Sequence, residues 1–186
     1  MHNKVSTYEN MKTKAVSNPS MCSSCYFEEE STFHLFFRCS FAIKLWNWLF
    51  SLLNTFIQFN SVEDVWLLLK RNWSHQCKLV IKSCIINILN FIWHKRNQTR
   101  FQDKTLHWKS AINGIIAKTS IAGNKTTKAD RCDMLEFSIL KACKVNIKAP
   151  NAPSVKEVFW FPPLTSWIKV NTDGESIKNP VRAWHF

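Results

Sequence analysis

The sequence predicts a mainly α-helical fold: a bundle of about five helices, headed by a small turn region and followed by an extended segment with a single strand. Three observations predict it. Apolar residues recur at three- and four-residue steps through most of the stretch from Phe41 to Cys143, which is the period of a helix with one buried face. Only three glycines occur, Gly114, Gly123 and Gly174. That is too few for a β domain full of tight turns or for a glycine-rich nucleotide loop. Three cysteines and a histidine crowd together just ahead of the first helical run.

The elements follow in order. Residues 1–20 are polar, rich in Lys, Ser, Thr and Asn, and read as a flexible arm ended by Asn18-Pro19. A first helix takes Phe41, Leu45, Trp48, Leu49, Leu52 and Phe56 on its apolar face, with Ser40 as N-cap. Aromatic residues at that spacing are core before they are a stacking surface. A second, short helix spans about 62–72, capped by Ser61, with Glu63 and Asp64 in the first turn, where the helix dipole favours acids. The third and longest runs over about 75–101. Ser74 caps it, and Leu79, Ile81, Cys84, Ile85, Ile88, Leu89, Ile92 and Trp93 form a wide stripe. A fourth covers about 104–121, with Gly123-Asn124 as its C-cap. A fifth covers about 126–146, with Leu135, Ile139, Leu140 and Cys143 on one side. Lys148-Ala-Pro150-Asn-Ala-Pro153 reads as an extended linker, 148–157, between a domain at 21–147 and a last segment at 158–186.

The clustered ligand types run C-x2-C-x8-H-x4-C: Cys22, Cys25, His34 and Cys39. Two cysteines two apart can share a metal from a tight turn, and a histidine and cysteine shortly after can close a tetrahedron. A closed set of thiolates and imidazole is what structural zinc requires. Cysteine is also a common small buried hydrophobe, but the added His34 and Cys39 favour Zn2+ over a lone cysteine pair. The spacing fits neither retroviral-type knuckles nor helix-reading fingers. Cys77, Cys84, Cys132 and Cys143 lack such spacing and read as core or surface thiols.

From Cys22 to Trp46 the chain resembles the zinc-binding region that follows the polymerase domain in plant LINE-type (non-LTR) retrotransposon reverse transcriptases. Cys22, Cys25, Glu30, His34, Leu35, Phe36, Cys39 and Trp46 fit that pattern. Ile92-Trp93, Arg96-Asn97 and Phe101 fit a later part of it. The resemblance implies a zinc-binding, nucleic-acid-associated role. Glu30 is a candidate to orient His34, since a metal-bound histidine usually donates its other N–H to an oxygen. The basic cluster Lys95, Arg96 and Arg100 suits a helix C-terminus by the dipole, and it is also the candidate weak contact to RNA or DNA phosphates.

Beyond the linker, Trp160, Pro162, Pro163, Trp167, Lys169, Asn171, Asp173 and Gly174 resemble the opening of a type-1 ribonuclease H domain. Trp167–Asp173 would be its first strand and Asp173 its first metal-binding carboxylate. Two-metal phosphodiester hydrolysis needs several carboxylates from different elements. With Asp173 alone matching, no Mg2+ site is complete and no catalysis is expected.

The 186 residues carry a net charge of +12, with a pI near 9.6. Such an excess suits phosphate contacts, although the charges are scattered rather than run together. No apolar leader opens the chain, and the most apolar stretch, 79–93, is shorter than a membrane span. Seven cysteines, an odd number, fit reduced thiols in nucleus or cytoplasm. The function expected is that of a non-enzymatic zinc-binding remnant of a retrotransposon polyprotein, in contact with RNA or DNA and with no membrane. The alternatives are a ribonuclease H present in part, and a metal-free helical scaffold.

Overall fold

A computed structural model describes residues 21–126, 133–148 and 165–168. The expected arm at 1–20, most of the linker, and most of the last segment, Asp173 included, lie outside these residues. The chain divides into two units, Met1–Asn151 and Ala152–Phe186. In the second, Thr165 and Ser166 form a turn.

The first unit is helical. A π-helical turn, His34–Arg38, leads into helix α1, Ser40–Leu53. A 3-10 segment, Glu63–Leu69, follows, then α2, His75–Gln102. Helices α3, Trp108–Asn124, and α4, Met134–Ala142, complete it. No strand occurs among the described residues; Met21 and Glu29 form an isolated antiparallel bridge. The expected strand at Trp167–Asp173 falls outside them beyond Ile168.

Helix α1 buries Phe41, Ala42, Leu45, Trp46, Leu49, Phe50 and Leu53, the i, i+4, i+8 row and its neighbour. Trp46 rather than Trp48 is the fully buried indole, and its Nε1–H donates to the Phe36 carbonyl at 2.7 Å. The helix stops at Leu53 because Asn54 turns left-handed, φ 47°. Asn tolerates that conformation better than most residues. The Asn54 and Thr55 amides then donate to Ser51 and Phe50, closing a Schellman turn. Phe56, expected on the helix face, lies past this stop and is exposed.

Helix α2 is the central element and packs most extensively on α3. Ser74 caps it, accepting from the Cys77 amide at 3.3 Å. Val80, Ile81, Cys84, Ile85, Ile88 and Ile92 are buried. By length and composition α2 could cross a membrane, but here that stripe is the wall of the core. Each such side chain taken fully from water stabilises by ~1.5–3 kcal/mol.

Several boundaries differ from expectation for local reasons. Ser61 does not cap the short helix. Instead Asp64 reaches back, its carboxylate accepting from the Asn60 and Ser61 amides at 2.8 and 2.9 Å. The last helix starts only at Met134, where Asp133 accepts from the Glu136 amide at 2.7 Å. Gly123 is not a C-cap, since α3 continues through Asn124. It is buried, and a Cβ there would stand 2.7 Å from Val145 Cγ2 and 2.9 Å from Val80 Cγ2. A close approach between chain segments, not a left-handed turn, requires the glycine.

Candidate metal centre

The loop at 21–29 closes on itself before it meets anything else. The Cys22 amide donates to the Glu28 carbonyl at 2.7 Å, beside the Met21–Glu29 bridge. The Cys22 carbonyl accepts from the Cys25 and Tyr26 amides at 3.3 and 2.8 Å. Tyr26 takes a left-handed φ of 60° to complete the turn. This small ring presents Cys22 and Cys25.

The other two ligands come from the π turn. On an α-helix, residues five apart point about 140° away from each other. Here the Cys39 amide donates to the His34 carbonyl at 2.7 Å, an i to i+5 closure. The wider turn folds Cys39 back over His34. Ser31 Oγ accepts from the His34 amide at 3.0 Å and fixes the start of the turn.

The four ligand atoms of Cys22, Cys25, His34 and Cys39 lie within 4.8 Å of one another. Cys22 Sγ and Cys39 Sγ are 3.9 Å apart, and Cys25 Sγ and His34 Nε2 are 3.3 Å apart. A tetrahedral zinc with Zn–S of ~2.3 Å and Zn–N of ~2.0–2.1 Å sets ligand–ligand edges of about 3.4–3.8 Å. The donor set therefore fits zinc in number, type and spacing. Cys22, Cys39 and His34 are buried and Cys25 partly so. Four protein ligands leave no open position, which is the structural rather than the catalytic arrangement.

The electrostatics agree. The hydrogen bond from Cys22 to Cys39, with burial, pushes the Cys22 thiol well above its ordinary range. The same bond holds Cys39 below its own, against burial. Crowded thiols do not all ionise without a cation to share. Three thiolates, a neutral imidazole and Zn2+ sum to one negative charge. Lys95 lies beside them, its Nζ–H donating to the Ser24 carbonyl at 3.2 Å and standing 4.9 Å from the Phe41 ring centre. Burial lowers its pKa, while the charges of Cys39, Cys22 and Cys25 act to raise it.

The residue that orients His34 is Glu28, not Glu30. His34 Nδ1 lies 2.7 Å from Glu28 Oε2, which leaves Nε2 for the metal. Glu30 instead pairs with Arg96: Nη2 to Oε1 at 2.8 Å and Nε to both carboxylate oxygens at 3.3 Å. Side-chain exposure is 2% for Arg96 and 0% for Glu30. This pair bolts the metal loop to α2. Of the three cations expected at a phosphate, Arg96 is thus buried and engaged with Glu30, Lys95 is mostly buried but lines a cavity, and Arg100 stacks 5.5 Å from the Phe101 ring centre. A run of three glutamates gave the sequence no means of telling Glu28 from Glu30. Cys77, Cys84 and Cys143 are buried, with Cys84 Sγ 3.9 Å from Cys143 Sγ. Cys132 lies outside the described residues.

Comparison with curated proteins and with solved structures finds no match. Residues 1–46 match the family described as zinc-binding in reverse transcriptase. That quarter of the chain contains all four ligands, and together the match and the Cys3His cluster fit a reverse transcriptase zinc-binding region.

Proposed function

We propose that this chain is a non-enzymatic, zinc-stabilised module derived from a plant LINE-type retrotransposon polyprotein, and that it contacts RNA or DNA. The observation that supports this most is the closed Cys22, Cys25, His34 and Cys39 set, oriented by Glu28 and tied to α2 through Glu30 and Arg96. Zinc here does structural chemistry: it ties the 21–29 loop to the turn at His34–Cys39 that leads into α1. The +12 charge supports a phosphate-bearing partner. A nuclear or cytoplasmic location fits the same reading.

The segment at 158–186 is proposed as the opening of a ribonuclease H domain. Its one matching carboxylate, Asp173, does not make a two-metal site, so the chain acts without catalysis. Mg2+ enters only if another segment supplies the missing acids.

Two experiments test the reading. Chelation of the purified protein should lower helicity and expose the 21–40 region to protease, and zinc should restore both. Helicity and protection that ignore chelation would sink the zinc clamp. Incubation with an RNA–DNA hybrid and Mg2+ should give no cleavage. A cleavage rate abolished by Asp173→Asn would overturn the non-enzymatic assignment.

A further inference from the structure

Beside the metal loop lies an open cavity of about 220 Å³. Four parts of the chain meet there: Ser24 from the metal loop, Phe41 and Lys44 from α1, Lys95 from α2, and His107 with Trp108 at the start of α3. We propose that this cavity seats one nucleotide of a single-stranded nucleic acid, with its phosphodiester on Lys44 and Lys95 and its base against Trp108. The inference rests on the nucleic-acid reading above and gives it a location.

The lining decides the class of ligand. Among the described residues no carboxylate lines the cavity, so an anion entering it meets no like charge from them. Lys95 is held at the floor, 9% exposed, by the Ser24 carbonyl and the Phe41 ring. An ammonium has three donors, and that carbonyl takes one. Lys95 also answers the single negative charge of a zinc-loaded Cys3His site, so the net attraction comes from the exposed Lys44 and from Lys109. Lys109 Nζ stands 5.6 Å from the Trp108 ring centre.

The aromatic wall adds what a simple phosphate would not use. Trp108 is half-buried, and the His107 ring centre is 5.8 Å from it. A fixed ring next to a cationic groove is the combination that holds single strands, because every base has a face to stack and the backbone follows the charge. Duplex bases are already stacked and not free to use it. The site is also separate from the Arg96 guanidinium, which is committed to Glu30.

The test uses the full zinc-loaded chain and a labelled ten-nucleotide oligothymidylate, followed by fluorescence anisotropy across a salt series. Affinity should fall steeply as salt rises. Lys44→Glu and Trp108→Leu should each weaken binding by about tenfold or more. Lys78→Glu makes the same charge change on an exposed part of α2 away from the cavity and should cost about threefold or less. A duplex of equal length should bind more weakly than the single strand. The proposal is overturned if Lys78→Glu matches Lys44→Glu, if duplex and single strand bind alike, or if the wild type fails to bind at low salt. Zinc content and helicity are read on the same samples. Loss of zinc with site-selective binding intact would sink the zinc clamp and leave the cavity. Full zinc with unselective binding would do the reverse.

Discussion

Removing the carboxylate from Glu30 should be among the most damaging single changes available in the metal loop. In Glu30→Gln the side-chain shape is kept, but the Arg96 guanidinium, 2% exposed, loses the Glu30 carboxylate that faces it. The native contact is multiple, one bond at 2.8 Å and two at 3.3 Å. Removing one partner of a fully buried ion pair typically costs ~3–5 kcal/mol, because the remaining charge stays desolvated. For a chain of this size each kcal/mol lowers Tm by about 2–4 °C, so the midpoint should drop by about 6–20 °C. Glu30 sits between Cys25 and His34 in sequence, so the loop and its metal should loosen with it. The assay is urea and thermal unfolding at a fixed zinc excess, with Arg96→Met and the double variant completing a cycle. The double variant, with no stranded charge, should be less damaged than Glu30→Gln. A loss under about 1 kcal/mol, the scale of an exposed pair, would refute the claim that this contact fastens the loop to α2.

Other predictions follow from single contacts. Glu28→Gln keeps a hydrogen-bond partner for His34 Nδ1 but removes the charge, and Glu28→Ala removes both. The alanine variant should weaken zinc binding by about 10–100-fold, measured by chelator competition, with glutamine between it and wild type; equal affinities in all three would dismiss Glu28 as the orienting group. Zinc binding should strengthen with pH. The raised Cys22 thiol keeps its proton through neutrality in the metal-free chain, and zinc must displace it. Cys39, already depressed by the bond from Cys22, gives up less. Chelator competition between pH 6.5 and 8, with reductant present, should show a steady rise; a flat profile would contradict the thiolate ligands. Gly123→Ala should destabilise by about 1–3 kcal/mol, since its Cβ would overlap both Val145 and Val80. A neutral or stabilising result would mean that α3 and its neighbours can part without cost.

What the sequence revealed tracks how local each cause is. The metal ligands were legible because four uncommon residue types fall at short spacing, and spacing is a one-dimensional property. Helices α1 and α2 were legible from the three- and four-residue period and, for α2, from the Ser74 cap. The π turn was not, because nothing in His34–Arg38 distinguishes an i+5 closure from an ordinary turn until the metal loop pulls Cys39 over His34. Glu30 was misassigned because its partner is 66 residues away in sequence. Arg96 reads in the sequence as part of a basic helix end and a candidate phosphate contact, and only packing shows it turned inward to Glu30. Gly123 was read as a stop signal, when the neighbours that need its missing Cβ come from α2 and from the turn after α4.

The most direct test of the central claim is zinc stoichiometry, by native mass spectrometry of the purified chain and of a Cys22→Ser/Cys25→Ser variant. One zinc per wild-type chain and none in the variant, with helicity lost alongside, is the predicted result. A wild-type chain without zinc, or a variant that keeps it, would contradict the Cys22, Cys25, His34 and Cys39 centre.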